Sequence, residues 1–130
     1  MAIAHPLIFS IVIPSYNYAH YLPRAIKSVT AQEGNDYEIV VVDDGSTDDT
    51  AAVVKNMQMS AQAPIRYVYQ TNSGLSATRN RGAREAGGRF LLFLDADDAL
   101  CPGALAHVRR PLQRQPHIDF VVGGYVISRI

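Results

Sequence analysis

The sequence predicts an α/β fold: a Rossmann-like, mostly parallel sheet with helices on both faces. Three observations carry this. Short apolar runs rich in β-branched residues alternate with segments of helical spacing, in the order βαβαβαβαβ. Hydrophobic residues make up 48% of the chain and charged residues 18%, enough to fold around a core. At 130 residues there is one domain and no room for two.

The run from Phe9 to Pro14 is apolar, β-branched and too short for a helix, so it reads as a buried strand. Leu22, Ala25, Ile26 and Val29 have helical spacing within His20 to Gln32, and Pro23 falls where a first helical turn tolerates it. Glu38 to Val42 is a second buried strand, running into Asp43, Asp44 and Gly45. Ser46 to Asp49 resembles a capping box with Asp in the acidic place, and a helix is expected to about Met59. Ile65 to Gln70 alternates as a third strand. A helix opens at Asn72 and runs to about Ala86, with Leu75, Thr78, Gly82 and Ala86 on one closely packed face, and Gly87-Gly88 ends it. Phe90 to Leu94 is a fourth buried strand, followed at once by Asp95, Asp97 and Asp98. A helix from Pro102 to about Arg114 and a fifth strand from Phe120, reaching Ile127, complete the expectation.

Several function classes are disfavoured. Lysine plus arginine equals aspartate plus glutamate at 12 each, which argues against a nucleic-acid partner held by bulk positive charge. The balance is uneven along the chain. Residues 1–64 carry three basic and seven acidic side chains; residues 65–130 carry nine and five. The single cysteine, Cys101, excludes an internal disulfide and a cysteine-rich zinc site, and fits a reducing, cytoplasmic compartment. Apolar runs fall far short of the ~20 residues that span a bilayer, and no signal peptide is expected. The four histidines lack metal-ligand spacing.

Ligands of open α/β sheets bind beyond the carboxyl ends of the strands. Here those ends are polar: Pro14 to Asn17, Asp43 to Ser46, and Asp95 to Asp98. Seven of the 12 acids, Asp43, Asp44, Asp48, Asp49, Asp95, Asp97 and Asp98, lie at or just past them. Carboxylates crowded on one rim repel unless a cation or a hydrogen-bonding ligand sits among them. Hard oxygen donors suit Mg²⁺ or Mn²⁺ bound together with a phosphate. Arg79 and Arg81, near a helix start, are placed to reach a diphosphate or to pair with the rim.

Four segments in order, Ile11–Asn17 (IVIPSYN), Ile39–Asp48 (IVVVDDGSTD), Asn72–Gly82 (NSGLSATRNRG) and Phe93–Asp98 (FLDADD), resemble the successive motifs of family 2 glycosyltransferases with a GT-A fold. The resemblance covers about Phe9 to Pro102. It implies transfer of a sugar from a nucleotide-diphosphate-sugar donor to an acceptor hydroxyl, inverting and metal-dependent, with a role in cell-envelope polysaccharide. Tyr16 would stack near the base, with Pro14, Ser15 and Asn17 in the same nucleotide-binding segment. Asp43 or Asp44, with Asp43 favoured, would bond the base or ribose. Arg79 would lie near the nucleotide and Asp95 near the ribose. Asp97, with Asp95, would hold Mg²⁺ or Mn²⁺. The acceptor would be a glycan or a lipid-linked glycan, reached by peripheral association with the inner face of a membrane.

The general base of such enzymes lies after the fifth strand, so it is expected beyond Ile130. The chain is therefore expected to be the donor-binding part, lacking the acceptor-binding portion, able to bind donor and unable to complete transfer. An exposed sheet edge would favour a homo-oligomer. Two other classes compete. A Mg²⁺-dependent phosphoryl-transfer domain of HAD-like or receiver-like type would need an aspartate on an early strand, where Pro14 to Asn17 offers none. A non-catalytic nucleotide-binding or oligomerisation module would keep the scaffold alone. A Rossmann dehydrogenase is disfavoured because no Gly-x-Gly-x-x-Gly follows the first strand.

Overall fold

The computed structural model describes residues 6–121 and 123–124. Four strands and four helices alternate: β1 (Phe9–Ser15), α1 (Leu22–Thr30), β2 (Tyr37–Asp43), α2 (Thr50–Ser60), β3 (Ile65–Tyr69), α3 (Leu75–Glu85), β4 (Phe90–Phe93) and α4 (Ala104–Arg114). The sheet is parallel, in the order β3-β2-β1-β4. The expected α/β class and the four strand–helix repeats are therefore present. Of the anticipated fifth strand, Phe120, Val121, Gly123 and Gly124 lie in no strand, and residues 122 and 125–127 fall outside the described residues.

β1 and β2 are buried along their whole length, which explains their near-continuous apolar sequence. Alternation assigns their side chains to two layers. Ile11, Ile13, Ile39 and Val41 pack with Leu22, Ile26 and Val29 of α1, Val54 of α2, and Leu105 and Leu112 of α4. Val12, Val40 and Val42 form a thinner layer on the opposite face, beneath α3. There α3 lies almost flush on the sheet. A Cβ at Gly82 would stand 2.2 Å from Val12 Cγ1, so only glycine permits this approach.

The start of α2 departs from the expected capping box. The helix begins at Thr50 without a side-chain cap from Asp49. Ser46 Oγ instead accepts from Asn17 N (2.9 Å), so it serves the loop after β1. Asp48 Oδ1 takes the capping role, accepting from Thr50 N (3.2 Å) and Thr50 Oγ1. Leu75, expected on the packed face of α3, is half exposed because it opens the helix beyond the sheet rim.

Two polar devices fix the elements that carry the rim. Gln32, at the end of α1, accepts from Leu105 N (3.1 Å) and donates to Cys101 O (3.0 Å), tying the segment after β4 to α1. Ser28 Oγ accepts from Leu100 N (2.9 Å) in the same seam. Arg109 grips Asp36 through two donors at 2.7 Å, locking α4 to the loop before β2. That pairing holds the Asp36 carboxyl below the usual range and the Arg109 guanidinium above its own.

Gly82→Ala is expected to destabilise the fold. Alanine favours a helix over glycine by about 1 kcal/mol. Overpacking against Val12 opposes this with about 1–3 kcal/mol, because the 2.2 Å contact is with a methyl of a buried, β-branched side chain that cannot swing away. A lower urea midpoint than the parent, at unchanged slope, is the outcome to measure.

Candidate functional site at the carboxyl rim of the sheet

The register Ser15↔Asp43 and Asp43↔Tyr69 ends β1, β2 and β3 at one level. Beyond them opens a cleft of about 380 Å³, lined among others by Pro14, Ser15, Tyr16, Asp44, Asp95 and Asp97. A larger hollow of about 520 Å³ lies at the opposite rim, around Asn35, Tyr37 and Pro64. The sequence motifs converge on the first, and the strand-end rule favours it.

The adjacent aspartates after β2 do different work. Asp43 continues the alternation of Ile39 and Val41, so its side chain turns to the α1–α2 face. Its Oδ1 accepts from Ser46 N (2.8 Å) and its Oδ2 from Tyr67 OH (2.5 Å). Burial and that carboxylate together push the Tyr67 hydroxyl up, so it stays a donor. Asp44 lines the cleft. Its Oδ1 accepts from Ser73 N (2.7 Å) and Gln70 Nε2 (2.8 Å), and its Oδ2 from Gly74 N (2.9 Å) and Asn72 Nδ2 (3.3 Å). Burial alone would raise its pKa; the hydrogen bonds from Gln70, Ser73 and Gly74 outweigh it and hold the carboxyl below the ordinary value.

Asn17 does not line the cleft. It adopts a left-handed backbone, φ 55°, and its Oδ1 accepts from Thr47 N (2.8 Å) and Asp48 N (3.3 Å). Asp48 returns the link by accepting from Ala19 N (3.0 Å), and its hydrogen bonds outweigh desolvation to lower its pKa. The loops after β1 and β2 are thus laced together. Tyr16 is 47% exposed, so its ring presents free surface at the cleft. Ser15 is buried, and its Oγ has no hydrogen-bond partner among the described residues.

Across the cleft, Asp95, Asp97 and Asp98 each offer a carboxylate oxygen within 4.8 Å of the others, all three exposed. Such a set of hard oxygen donors fits Mg²⁺ or Mn²⁺. Arg79 Nη2 donates to Asp95 Oδ1 at 3.1 Å. Arg81 pairs instead with Glu85 one turn on (2.9 Å), away from the rim acids. Sequence reasoning did not single out Tyr18, Asn72, Gly74 or Thr78 as site residues, yet all four line the cleft. Asn72, Gly74 and Thr78 all sit in the Asn72–Gly82 motif, the signal that could have found them; Tyr18 carries no separate signal.

The lowered Asp44 pKa gives stability that is present above the ordinary value of 3.8 and is lost as pH falls through the lower folded value. Asp44→Asn replaces a carboxylate facing four donors by a group with one acceptor oxygen. It is expected to cost about 1–3 kcal/mol at pH 7. The gap between parent and variant should close as pH drops below about 4. Urea melts at pH 7, 5 and 3 would reveal this; a gap independent of pH would contradict it.

The family model for glycosyl transferase family 2 matches residues 10–129. An uncharacterized glycosyltransferase of Nostoc sp. is 41% identical over 121 residues, covering 88% of this chain and 38% of that protein. A GalNAc(5)-diNAcBac-PP-undecaprenol beta-1,3-glucosyltransferase of Campylobacter jejuni is 41% identical over 99 residues, covering 75% of this chain and 32% of its own length. The structure of S. aureus TarS 1-349 in complex with UDP-GlcNAc superposes with a TM-score of 0.78 at 30% identity, over 85% of this chain and 32% of that one. The mannosyltransferase PcManGT of Pyrobaculum calidifontis, in complex with GDP-Man and Mn²⁺, gives 0.75 at 26% identity, over 83% and 33%. The chain thus spans about a third of the length of these relatives. Its four motifs stand in order around one cleft, and its sequence matches the family over nearly its whole length: the chain belongs to glycosyltransferase family 2.

Proposed function

We propose that the chain is the donor-binding part of an inverting, metal-dependent glycosyltransferase, which holds a nucleotide-diphosphate-sugar. One observation carries this reading: an exposed tyrosine, an aspartate and an Asp-x-Asp pair line the same cleft at the carboxyl ends of parallel strands. Tyr16 offers its exposed ring to the base. Asp44 is acceptor-only and already met by four donors, so it holds the wall of Asn72, Ser73 and Gly74, and a donor on the base or ribose would have to share one of its oxygens. Asp43 supports this from behind by fixing the turn at Ser46. Pro14 and Ser15 form the wall beside the base, while Asn17 holds that wall's loop in place.

Asp95 faces the ribose side, and Asp97 with Asp95 would hold Mg²⁺ or Mn²⁺. Bound there, the ion neutralises the leaving diphosphate as a Lewis acid. The acceptor hydroxyl must lose its proton to a base on the opposite side of the sugar. The cleft residues are assigned to donor binding and none of them to that base, so this chain alone is proposed to bind donor without transfer. The acceptor is a glycan or lipid-linked glycan; the undecaprenol-linked acceptor in the name of the C. jejuni relative supports the second. Peripheral contact with the inner face of a membrane follows from such an acceptor. Among the described residues no helix is long and apolar enough to cross one.

A thermal-shift panel of UDP, GDP and TDP, each with and without Mn²⁺, tests the reading. At least one diphosphate should stabilise the chain, and more so with Mn²⁺. Tyr16→Ala should weaken that nucleotide about 5- to 150-fold, the equivalent of ~1–3 kcal/mol of stacking. Asp97→Ala should abolish the Mn²⁺-dependent increment. No shift with any diphosphate would leave a non-catalytic module as the better account.

The outer edge of β4 has no strand partner among the described residues, and Leu91 and Phe93 are exposed on it. Self-association through this edge is proposed, with light scattering showing a mass that rises with concentration. A constant monomer mass would contradict it.

A further inference from the structure

We propose that Arg79 is an internal counter-cation. It occupies the acidic rim until donor arrives, and metal and nucleoside diphosphate then bind cooperatively by displacing it. The inference rests on the donor-site reading above.

Three carboxylates whose oxygens lie within 4.8 Å of one another repel in the free protein. Like charges this close repel even through water, and more strongly at the dielectric of a protein surface. The cation among the described residues that answers them is Arg79, bonded to Asp95 Oδ1 at 3.1 Å. Three features suit this pair to exchange. Its side chains are 39% and 49% exposed, against 17% and 14% for the Arg109–Asp36 staple, so it is weakly held. Arg79 Nε is buried with no hydrogen-bond partner among the described residues, so the guanidinium has donors unspent. It also stands one helical turn past Leu75, which lines the cleft.

A divalent ion arriving alone meets Asp95 already paired, and a positive neighbour. A diphosphate arriving alone meets three carboxylates. Arriving together, they exchange partners: the ion takes the carboxylates, and the guanidinium turns its planar fork to phosphate oxygens. Each ligand then removes the obstacle to the other, and the coupling is reciprocal.

Mn²⁺ binding to the full chain, followed by electron paramagnetic resonance with and without saturating UDP or GDP, tests this. For the parent, one of the two should tighten Mn²⁺ at least ~5-fold. In Arg79→Met, Mn²⁺ alone should bind about 3- to 10-fold tighter, and the coupling should fall below about twofold. Mn²⁺ affinity unchanged or weaker in a folded Arg79→Met, checked by far-UV circular dichroism, would overturn the inference. Should that variant unfold, Arg79→Lys decides. Mn²⁺ affinity equal to the parent or tighter supports displacement; weaker affinity would mean that Arg79 builds the metal site and refute it. Failure of the parent to bind Mn²⁺ with either nucleotide would overturn the donor-site reading itself, and this inference with it.

Discussion

The parallel pairing of β1 with β2 is the constraint from which the cleft follows. Seven consecutive residue pairs align, all of them buried, and Ser15 meets Asp43 at the last. Neither strand can slip by one residue without exchanging the isoleucine-rich layer that packs on α1 with the thin valine layer beneath α3. Both chains must therefore leave the sheet at the same level, side by side, with their backbone polar groups in need of partners. The polar loops meet that need for each other. Asn17 Oδ1 accepts from Thr47 N and Asp48 N, Asp48 Oδ2 accepts from Ala19 N, Asp43 ties its own turn, and Asp44 N donates to Ser15 O at 2.9 Å. The acids at this rim are thus first of all loop-holding groups, and the cleft is what remains between the loops.

That double use explains why adjacent aspartates diverge. A residue in register with the sheet must choose a face, and Asp43 falls on the covered one, where Tyr67 and Ser46 saturate it. The next residue is past the last ladder pair. Asp44 can gather the connection between β3 and α3, drawing Asn72, Ser73 and Gly74 to the cleft wall. Gly74, at φ 93°, and Gly45, at φ 79°, supply the positive angles this approach requires; a Cβ at Gly45 would stand 2.8 Å from Asn72 N. One carboxylate thereby organises a wall from two separate loops and keeps its charge while buried.

The architecture was legible because burial on both faces leaves a blunt trace: unbroken β-branched runs at β1 and β2, with helical spacing between. Pro14, Ser15, Tyr16, Asp44, Asp95 and Asp97 could be named in advance because parallel strands deliver their ends to one rim. What stayed hidden depends on a difference of one residue or on distant partners. Which of Asp43 and Asp44 lines the cleft turns on which residue is the last in the ladder, a boundary that periodicity does not resolve. Asn17 reads as a ligand-binding side chain until its left-handed backbone and its bonds to Thr47 and Asp48 are seen. Ser46 to Asp49 has the composition of a cap, but tertiary contacts to β1 claimed Ser46 first.

The unequal charge of the two halves also acquires a physical meaning. Arginines of the second half reach acids of the first: Arg66 to Glu38 at 3.2 Å and Arg109 to Asp36 at 2.7 Å. Glu38 is buried, and Ser10 Oγ and Gly87 N also donate to it, at 2.7 Å each. These donors and Arg66 outweigh desolvation and keep its pKa low. Such pairs join segments that are remote in sequence, and their cost on breaking is an unpaired buried carboxylate, so they act as staples. Arg79 belongs to the same basic half but ends on an exposed acid in the rim, where breaking the pair strands neither charge away from water. The same arginine–carboxylate chemistry is therefore structural where the carboxylate is shielded, as at Glu38 and Asp36, and exchangeable where both partners are wet. In this chain burial, rather than charge, separates the two roles.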